Sequence, residues 1–237
     1  MDYYRPSQER GKANHGWLRS RHSFSFANYY DPAHMGFGVL RVINEDWVAP
    51  RNGFGAHPHR DMEIISYVLE GAIEHRDNMG HVSRLEAGQL QRMSAGTGVV
   101  HSEYNASAND PLRFLQIWIE PAKRGIEPSY EDRQLEIDGS ITALVTPDGR
   151  VNTLSINQDM GLHMITLEPG ESLEILAGHR AAYLHGIDGT IRLEEYLVGE
   201  GDGAGMVSVP QGVELVAGER GFEGLWFDLP AISKSIR

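Results

Sequence analysis

Cysteine is missing from this chain of 237 residues, and that absence excludes whole classes of site. Without thiols the protein can form neither a disulfide nor a thiolate metal site, and composition does not reveal the redox compartment. Positive charge is also scarce, because 21 Lys and Arg stand against 33 Asp and Glu, a formal net charge of −12. Such a surface repels phosphate backbones and anionic membranes, so direct nucleic-acid binding is disfavoured.

Long apolar runs are absent as well. The apolar run at residues 64–69 is far shorter than the about twenty residues that a membrane-spanning helix requires. Residues 1–6 contain no basic segment that leads into an apolar stretch, so we expect no secretory signal. The sequence therefore predicts a cytoplasmic protein that does not bind membranes, and we expect it to be a monomer.

No stretch has a persuasive helical period, and the patterns that are present are typical of β structure. Short runs rich in Val, Ile, Tyr, Phe and Trp alternate with Gly, Pro, Asn and Asp. The 27 glycines and 11 prolines would interrupt long helices, but they suit tight turns between strands. We predict an all-β sandwich or barrel with strands at residues 38–43, 63–69, 112–119, 162–167 and 225–229.

An internal repeat indicates two β units in tandem. Tyr-Val-Leu-Glu-Gly-Ala-Ile at residues 67–73 is echoed by Leu-His-Gly-Ile-Asp-Gly-Thr-Ile at residues 184–191. An offset of about half the chain is what a duplicated unit leaves behind. The polar, turn-rich stretch at residues 121–138 predicts a boundary between an N-terminal domain, 1–125, and a C-terminal domain, 126–237. Only the first contains paired histidines, so we expect no metal ligands in the second.

Two short histidine motifs in the first unit carry the chemistry. The first is His-Pro-His at residues 57–59, and the second, about forty residues later, is His-Ser-Glu at residues 101–103. Residues i and i+2 of a strand share a face, so two such strands side by side would converge three imidazoles and one carboxylate. This donor set suits divalent Fe, Cu, Ni, Mn or Zn and leaves coordination positions open for water, O₂ or a chelating substrate. The predicted ligands are His57, His59, His101 and Glu103.

These residues resemble the motifs of a known superfamily. His-x-His-x-x-x-Glu at residues 57–63, followed by Gly71, resembles the first cupin motif, and Gly88 with residues 94–105 resembles the second. Ser94 stands where cupins usually carry Pro, and the spacing from Gly88 is two residues longer than usual. Both departures, together with the His-Ser-Glu motif, resemble the pirin branch of the bicupins. The resemblance covers about the first 125 residues strongly and implies two tandem cupin barrels, with iron as the first choice of metal.

Two carboxylates compete for the fourth ligand position. The first-motif glutamate, here Glu63, binds the metal in ordinary cupins, whereas the pirin resemblance assigns this role to Glu103. Strand geometry also favours Glu103, because it shares a face with His101, while Glu63 lies four residues beyond His59 and needs a bend in the chain. We expect Glu103 to be the ligand and Glu63 to lie in the cavity or directly behind the ligands, where it could orient one of them.

The resemblance implies an oxygenase similar to quercetin 2,3-dioxygenase. A flavonol would chelate the metal through its 3-hydroxyl and 4-keto oxygens, and Glu103, or Glu63 beside it, would take the hydroxyl proton as general base. O₂ would then open the ring with loss of carbon monoxide. Two alternatives stay open: a regulatory or redox-sensing module that acts through protein partners, and another metal-dependent cupin enzyme such as an isomerase.

Other conspicuous side chains have ordinary interpretations. His75 and His81 flank the predicted hairpin turn at residues 77–80, where exposure is expected. Four aromatics are expected in the core, with one or two of them lining the cavity: Phe24, Phe26, Tyr67 and Trp118.

Overall fold

The computed structural model describes residues 1–150, 152–176, 178–209 and 212–232. Within those residues the chain forms twenty strands and a short 3-10 helix at Ser7–Glu9. The strands are β1 (Tyr3–Arg5), β2 (Gly11–Asn14), β3 (Leu18–His22), β4 (Leu40–Val48), β5 (Gly53–His59), β6 (Glu63–Glu70), β7 (Ala72–Asp77), β8 (Val82–Glu86), β9 (Gln89–Ser94), β10 (Val99–Asn105), β11 (Leu112–Ile119), β12 (Ser129–Gln134), β13 (Ile141–Thr146), β14 (Leu154–Ser155), β15 (Gly161–Leu167), β16 (Ser172–Ile175), β17 (Ala181–Leu193), β18 (Tyr196–Gly199), β19 (Gly203–Met206) and β20 (Val213–Leu229). The five predicted runs lie in or overlap β4, β6, β11, β15 and β20, so the all-β prediction is confirmed.

Three sheets contain these strands. A seven-stranded sheet has the order β12-β9-β6-β11-β4-β3-β2, and a four-stranded sheet has the order β5-β10-β7-β8. A nine-stranded sheet follows the path β1-β19-β17-β20-β15-β13-β14, with β16 paired to β20 and β18 paired to β17. In the described part of the chain, no helix has both the length and the apolar character needed to cross a membrane.

The two faces of the seven-stranded sheet pack against different partners, because side chains alternate along each strand. Ile65 and Tyr67 of β6 belong to a large apolar cluster that also contains Leu144 and Phe227 of the second half. Val68 faces the opposite way and packs with Ile73, Leu85 and Phe114 in a cluster confined to the first half. Burial of each apolar side chain of this kind contributes about 1.5–3 kcal/mol to the free energy of folding. The histidine motifs themselves lie on β5 and β10 of the four-stranded sheet.

The repeated glycines of the two halves adopt the same backbone conformation. Gly71 has φ 77° and Gly189 has φ 68°, values that favour glycine over residues with a side chain. A Cβ on Gly71 would lie 2.4 Å from the carbonyl oxygen of Pro111, and one on Gly189 would lie 2.2 Å from that of Gly221. The sequence echo therefore reflects the same close approach of two strands in each half.

Strand pairing crosses the predicted domain boundary at both ends. Near the N-terminus β1 pairs with β19, Tyr3 lying opposite Gly205. Beyond residue 125, β12 pairs with β9 of the first half, Ser129 lying opposite Ser94. The division into 1–125 and 126–237 stays a prediction about domains, and these two strands tie the halves together whatever the boundary.

Candidate metal centre

Two neighbouring strands of the four-stranded sheet bring the histidine motifs together. In the antiparallel pairing of β5 and β10, His101 lies directly opposite His57, and His59 shares the face of His57. The ring centroids are 4.5 Å apart for His57 and His101, and 4.8 Å apart for each of the other two pairs. The candidate ligand atoms of the three rings all lie within 4.8 Å of one another. The structure thus places the three predicted imidazoles in one cluster.

The orientation of His57 leaves one ring nitrogen free to bind. Its Nδ1 lies 2.7 Å from the carbonyl oxygen of Gly55, so Nδ1 carries the proton and donates it. The lone pair is then on Nε2, which lies 3.0 Å from Nε2 of His101. A backbone carbonyl that fixes the tautomer of a histidine in this way is common at metal sites.

Burial keeps two of the imidazoles neutral. It lowers the pKa of His59 to about 4, with further lowering by the neighbouring His101 and His57. Burial likewise lowers the pKa of His101 to about 3, assisted by His57 and His75. A transition metal binds the neutral form of imidazole. At neutral pH these rings therefore offer lone pairs and not positive charges.

Glu103 is buried on the same side of β10 as His101, where its carboxylate is held by three donors. Oε1 accepts hydrogen bonds from Oγ of Ser66 at 3.0 Å and from Nε2 of Gln91 at 2.8 Å. Oε2 accepts one from Nε2 of Gln116 at 2.7 Å. The carboxylate of Glu103 forms a cluster with His101 and His75, in which the three candidate ligand atoms lie within 4.8 Å of one another. It lies at the edge of the imidazole cluster, and its role as fourth ligand stays a proposal.

Glu63 points away from this centre. It shares a face of β6 with Ile65 and Tyr67, so its fully buried carboxylate lies toward the second half of the chain. There it accepts a hydrogen bond from Oγ of Ser94 at 2.8 Å and lies 3.3 Å from the backbone N–H of Asn157. The expectation that Glu63 lies in the cavity is therefore wrong, because the strand alternation that turns Ser66 inward turns Glu63 outward.

His75 is a residue that sequence reasoning assigned incorrectly. Its side chain is 0% exposed, because the ring of Tyr130 from β12 stacks on it at 4.5 Å. His81, at the other end of the turn, has a side chain that is 41% exposed, as expected. The signal that could have identified His75 is the spacing of His75 and Asp77, which repeats the i, i+2 alternation of the ligand motifs.

A cavity of about 670 Å³ opens on the inward face of β3, β4 and β5. Its wall is aromatic at Trp17, Phe26 and Phe54 and polar at Asp46. Phe26 packs edge-on against Trp118 at 5.3 Å, and Trp118 packs edge-on against His59 at 5.0 Å. Phe26 thus lines the cavity as one of the predicted aromatics, while Phe24 and Tyr67 are in the core.

Asp46 is a buried carboxyl group in the wall of this cavity. Its Oδ1 has no hydrogen-bond partner among the described residues. Burial raises the pKa of Asp46 from 3.8 to about 7, and the charge of Glu103 adds to the effect. The carboxyl group is therefore protonated in the folded protein at pH values where the unfolded chain has already released the proton.

This difference predicts that Asp46→Asn stabilises the metal-free protein, and more so at pH 8 than at pH 5. Folding favours the protonated carboxyl, so the wild type loses stability as pH rises from 3.8 toward 7, by up to a few kcal/mol. Asparagine keeps the shape without the charge and escapes that loss. The measurement is the melting temperature of both proteins at each pH. An equal difference at the two pH values would contradict the assignment.

Comparisons with known proteins now identify the family. The family model Pirin matches residues 3–119, and the model described as quercetinase C-terminal cupin domain matches residues 143–229. Quercetin 2,3-dioxygenase of Escherichia coli K12 is 44% identical over 233 residues, which cover 98% of this chain and 100% of that protein. This chain belongs to the pirin family. Its predicted resemblance to pirins, and through them to quercetin 2,3-dioxygenases, is confirmed.

Solved structures agree with the family assignment. The crystal structure of YhhW from Escherichia coli has a TM-score of 0.93 to this pirin at 44% identity, covering 97% of this chain and 98% of that chain. A structure described as bacterial pirin YhhW in complex with nickel(II) has a TM-score of 0.92 and covers 97% and 99%. The pirin-like protein of Caulobacter vibrioides is 41% identical over 207 residues, 85% of this chain and 89% of that protein. The predicted bicupin class is confirmed.

Proposed function

We propose that this pirin is a metal-dependent dioxygenase that opens flavonols such as quercetin with O₂. The observation that carries the proposal is the convergence of His57, His59 and His101. The four proposed ligands do not line the aromatic cavity themselves, but His59 contacts Trp118, which contacts Phe26 of the cavity wall. The volume of about 670 Å³ falls within the range of about 300–1,000 Å³ typical of small-molecule sites. The name of the Escherichia coli relative and the nickel(II) bound to YhhW support this function.

Under this proposal His57, His59, His101 and Glu103 hold a divalent transition metal. The chemistry of the donor set fits, since neutral imidazoles with one carboxylate suit Fe, Ni, Cu, Mn and Zn, and we favour iron. When bound, such an ion supplies a Lewis acid that lowers the pKa of a hydroxyl group on the substrate. The Nδ1 bond of His57 to Gly55 keeps its Nε2 available for that ion.

Under the same proposal, Glu103 would also move the substrate proton. Ser66, Gln91 and Gln116 hold its carboxylate from behind, which fixes the direction of the remaining lone pairs. It would accept the proton of the flavonol 3-hydroxyl at one of its Oε atoms. The aromatic side chains Trp17, Phe26 and Phe54 would bind the flat rings and exclude water from the reaction.

The overall reaction balances with the flavonol and O₂ as the only reactants. O₂ accepts the electrons of the flavonol, both of its atoms enter the ring-opened ester, and one ring carbon leaves with its oxygen as carbon monoxide. The proton that Glu103 accepts from the 3-hydroxyl returns to the product.

Anaerobic loading with Fe(II) or Ni(II), followed by mixing with quercetin and O₂, tests the function directly. We expect quercetin and O₂ to be consumed and carbon monoxide released in equal amounts, because each turnover uses one of each. Metal-free protein from the same preparation is the control. If the metal-loaded protein binds its ion but leaves quercetin and O₂ unchanged, the dioxygenase proposal fails and a regulatory module becomes the better account.

A further inference from the structure

A chain of side chains extends from the imidazole cluster into the four-stranded sheet, on the side of His101 away from His57. Nδ1 of His101 lies 3.5 Å from Nδ1 of His75, at the outer limit of a hydrogen bond. Nε2 of His75 lies 3.3 Å from Oδ2 of Asp77. Both His75 and Asp77 are on β7, which pairs with β10 so that His101 lies opposite Asp77 and Glu103 opposite His75. The three side chains therefore form a continuous line on one face of the sheet.

The hydrogen-bond donors and acceptors along this line can be assigned one after another, starting from Asp77. The carboxylate of Asp77 only accepts, and its Oδ1 already receives the backbone N–H groups of Met79 at 2.9 Å and His81 at 3.0 Å. The Nε2 atom of His75 must then donate to Asp77, and in the neutral ring this leaves a lone pair on Nδ1. His101 in turn must present its proton on Nδ1 to His75. The lone pair of His101 is thereby left on Nε2, 3.0 Å from the Nε2 lone pair of His57. With no proton between them, the two nitrogen atoms repel each other unless a cation binds both.

Tyr130 of β12 holds the line in place. Its ring stacks on His75 at 4.5 Å and on His81 at 5.0 Å. Its hydroxyl group donates to Oε1 of Gln91 at 3.0 Å, and Gln91 donates to Glu103. His75 therefore has a fixed ring plane, and the same side chain that covers it is linked to the carboxylate of the centre.

We propose that Asp77 and His75 are positioning residues that fix the tautomer of His101 and thereby set the metal affinity of the site. The inference rests on the proposed metal site and adds two residues to it. The backbone carbonyl of Gly55 fixes the tautomer of His57 by accepting its Nδ1 proton. In His101 the corresponding acceptor is the side chain of His75, which can be changed by mutation. Outer partners of this kind typically alter metal affinity about 10–100-fold.

Asp77→Asn is the decisive variant, because the structure dictates how the new amide must sit. The two backbone N–H groups require an acceptor at the Oδ1 position, so the amide oxygen is held there. The NH₂ group then faces Nε2 of His75 and donates to it. His75 is forced to carry its proton on Nδ1, His101 loses its acceptor, and the proton of His101 moves to Nε2, where it blocks the metal.

Zn(II) and Ni(II) affinity, measured by competition with a chelator, should fall about 10–100-fold in Asp77→Asn. The metal affinity of His75→Phe should fall by a similar factor, because phenylalanine can still stack on Tyr130 but cannot accept the proton of His101. His81→Gln is the matched control, because His81 contacts the same Oδ2 at 2.9 Å but lies outside the line. Its affinity should stay within about twofold of the wild type.

The tautomer itself supplies a second readout that a merely structural role would not change. In ¹⁵N histidine spectra of metal-free proteins, the fraction of His101 with its proton on Nδ1 should be larger in the wild type than in Asp77→Asn. If the wild type binds neither metal, the metal-site proposal itself fails. If the wild type binds while Asp77→Asn and His75→Phe bind equally well, the positioning role is overturned. A loss in His81→Gln as large as in Asp77→Asn would overturn it too, since the effect would then come from the turn.

Discussion

Replacing His101 by alanine is expected to remove the metal while leaving the protein folded. His101 is the central ring of the site, because it contacts His57 and His59 on one side and His75 on the other. Its loss leaves two imidazoles, so metal affinity should fall further than when a residue that only hydrogen-bonds to a ligand is lost, which typically costs about 10–100-fold. Activity with quercetin should fall to the level of metal-free protein.

The fold should survive because the apolar clusters of both halves are built from other residues. Elemental analysis of protein purified without added metal gives the metal content, and thermal unfolding tests the fold. His57→Ala should behave in the same way, and His81→Ala, whose ring lies outside the cluster, should keep its metal. A folded His101→Ala protein with full metal content would contradict the ligand assignment.

Glu103→Ala should impair turnover far more than folding. In its proposed roles as ligand and general base, Glu103 is expected to contribute about 10²–10⁴-fold to kcat, the range measured for proton transfer by positioned side chains. The cost in stability should be about 1–3 kcal/mol, because Ser66, Gln91 and Gln116 lose a shared acceptor. Steady-state kinetics in metal-loaded protein and denaturant unfolding measure the two effects separately.

Glu63→Ala is the matched control for this variant. Glu63 is also a buried carboxylate with hydrogen-bond donors, here Ser94 and Asn157, so its removal should cost similar stability. It lies on the opposite face of β6 from Ser66, so metal content and turnover should change little. If Glu63→Ala lost metal and Glu103→Ala kept it, the two carboxylates would have to exchange roles.

The histidine cluster was predictable because it depends on local backbone geometry. His57 and His59 are two residues apart on a strand, and so are His101 and Glu103, which fixes the face they share. The remaining requirement was that β5 and β10 be neighbours, and the resemblance to cupins implied it. The register that sets His101 opposite His57 is a separate fact, which neither motif contains.

The surroundings of the cluster were not predictable in the same way. His75 is buried because β12, more than fifty residues later in the chain, pairs with β9 and lays Tyr130 over it. The spacing of His75 and Asp77 could have indicated a shared face, but no pattern near residue 75 shows that Tyr130 covers the ring. The error at Glu63 was the opposite one. Its position in the cupin-like motif predicted a side chain near the metal, but the side chain faces the second half of the chain.

The amino-acid order alone determined the β class, the strand runs and the pairing of donors on a common face, because alternation is a property of the extended backbone. Tertiary structure decided which face is enclosed, which carboxylate points inward and which histidine is covered. Those outcomes depend on segments that are distant in sequence and meet only when the sheets pack, as β12 does over His75.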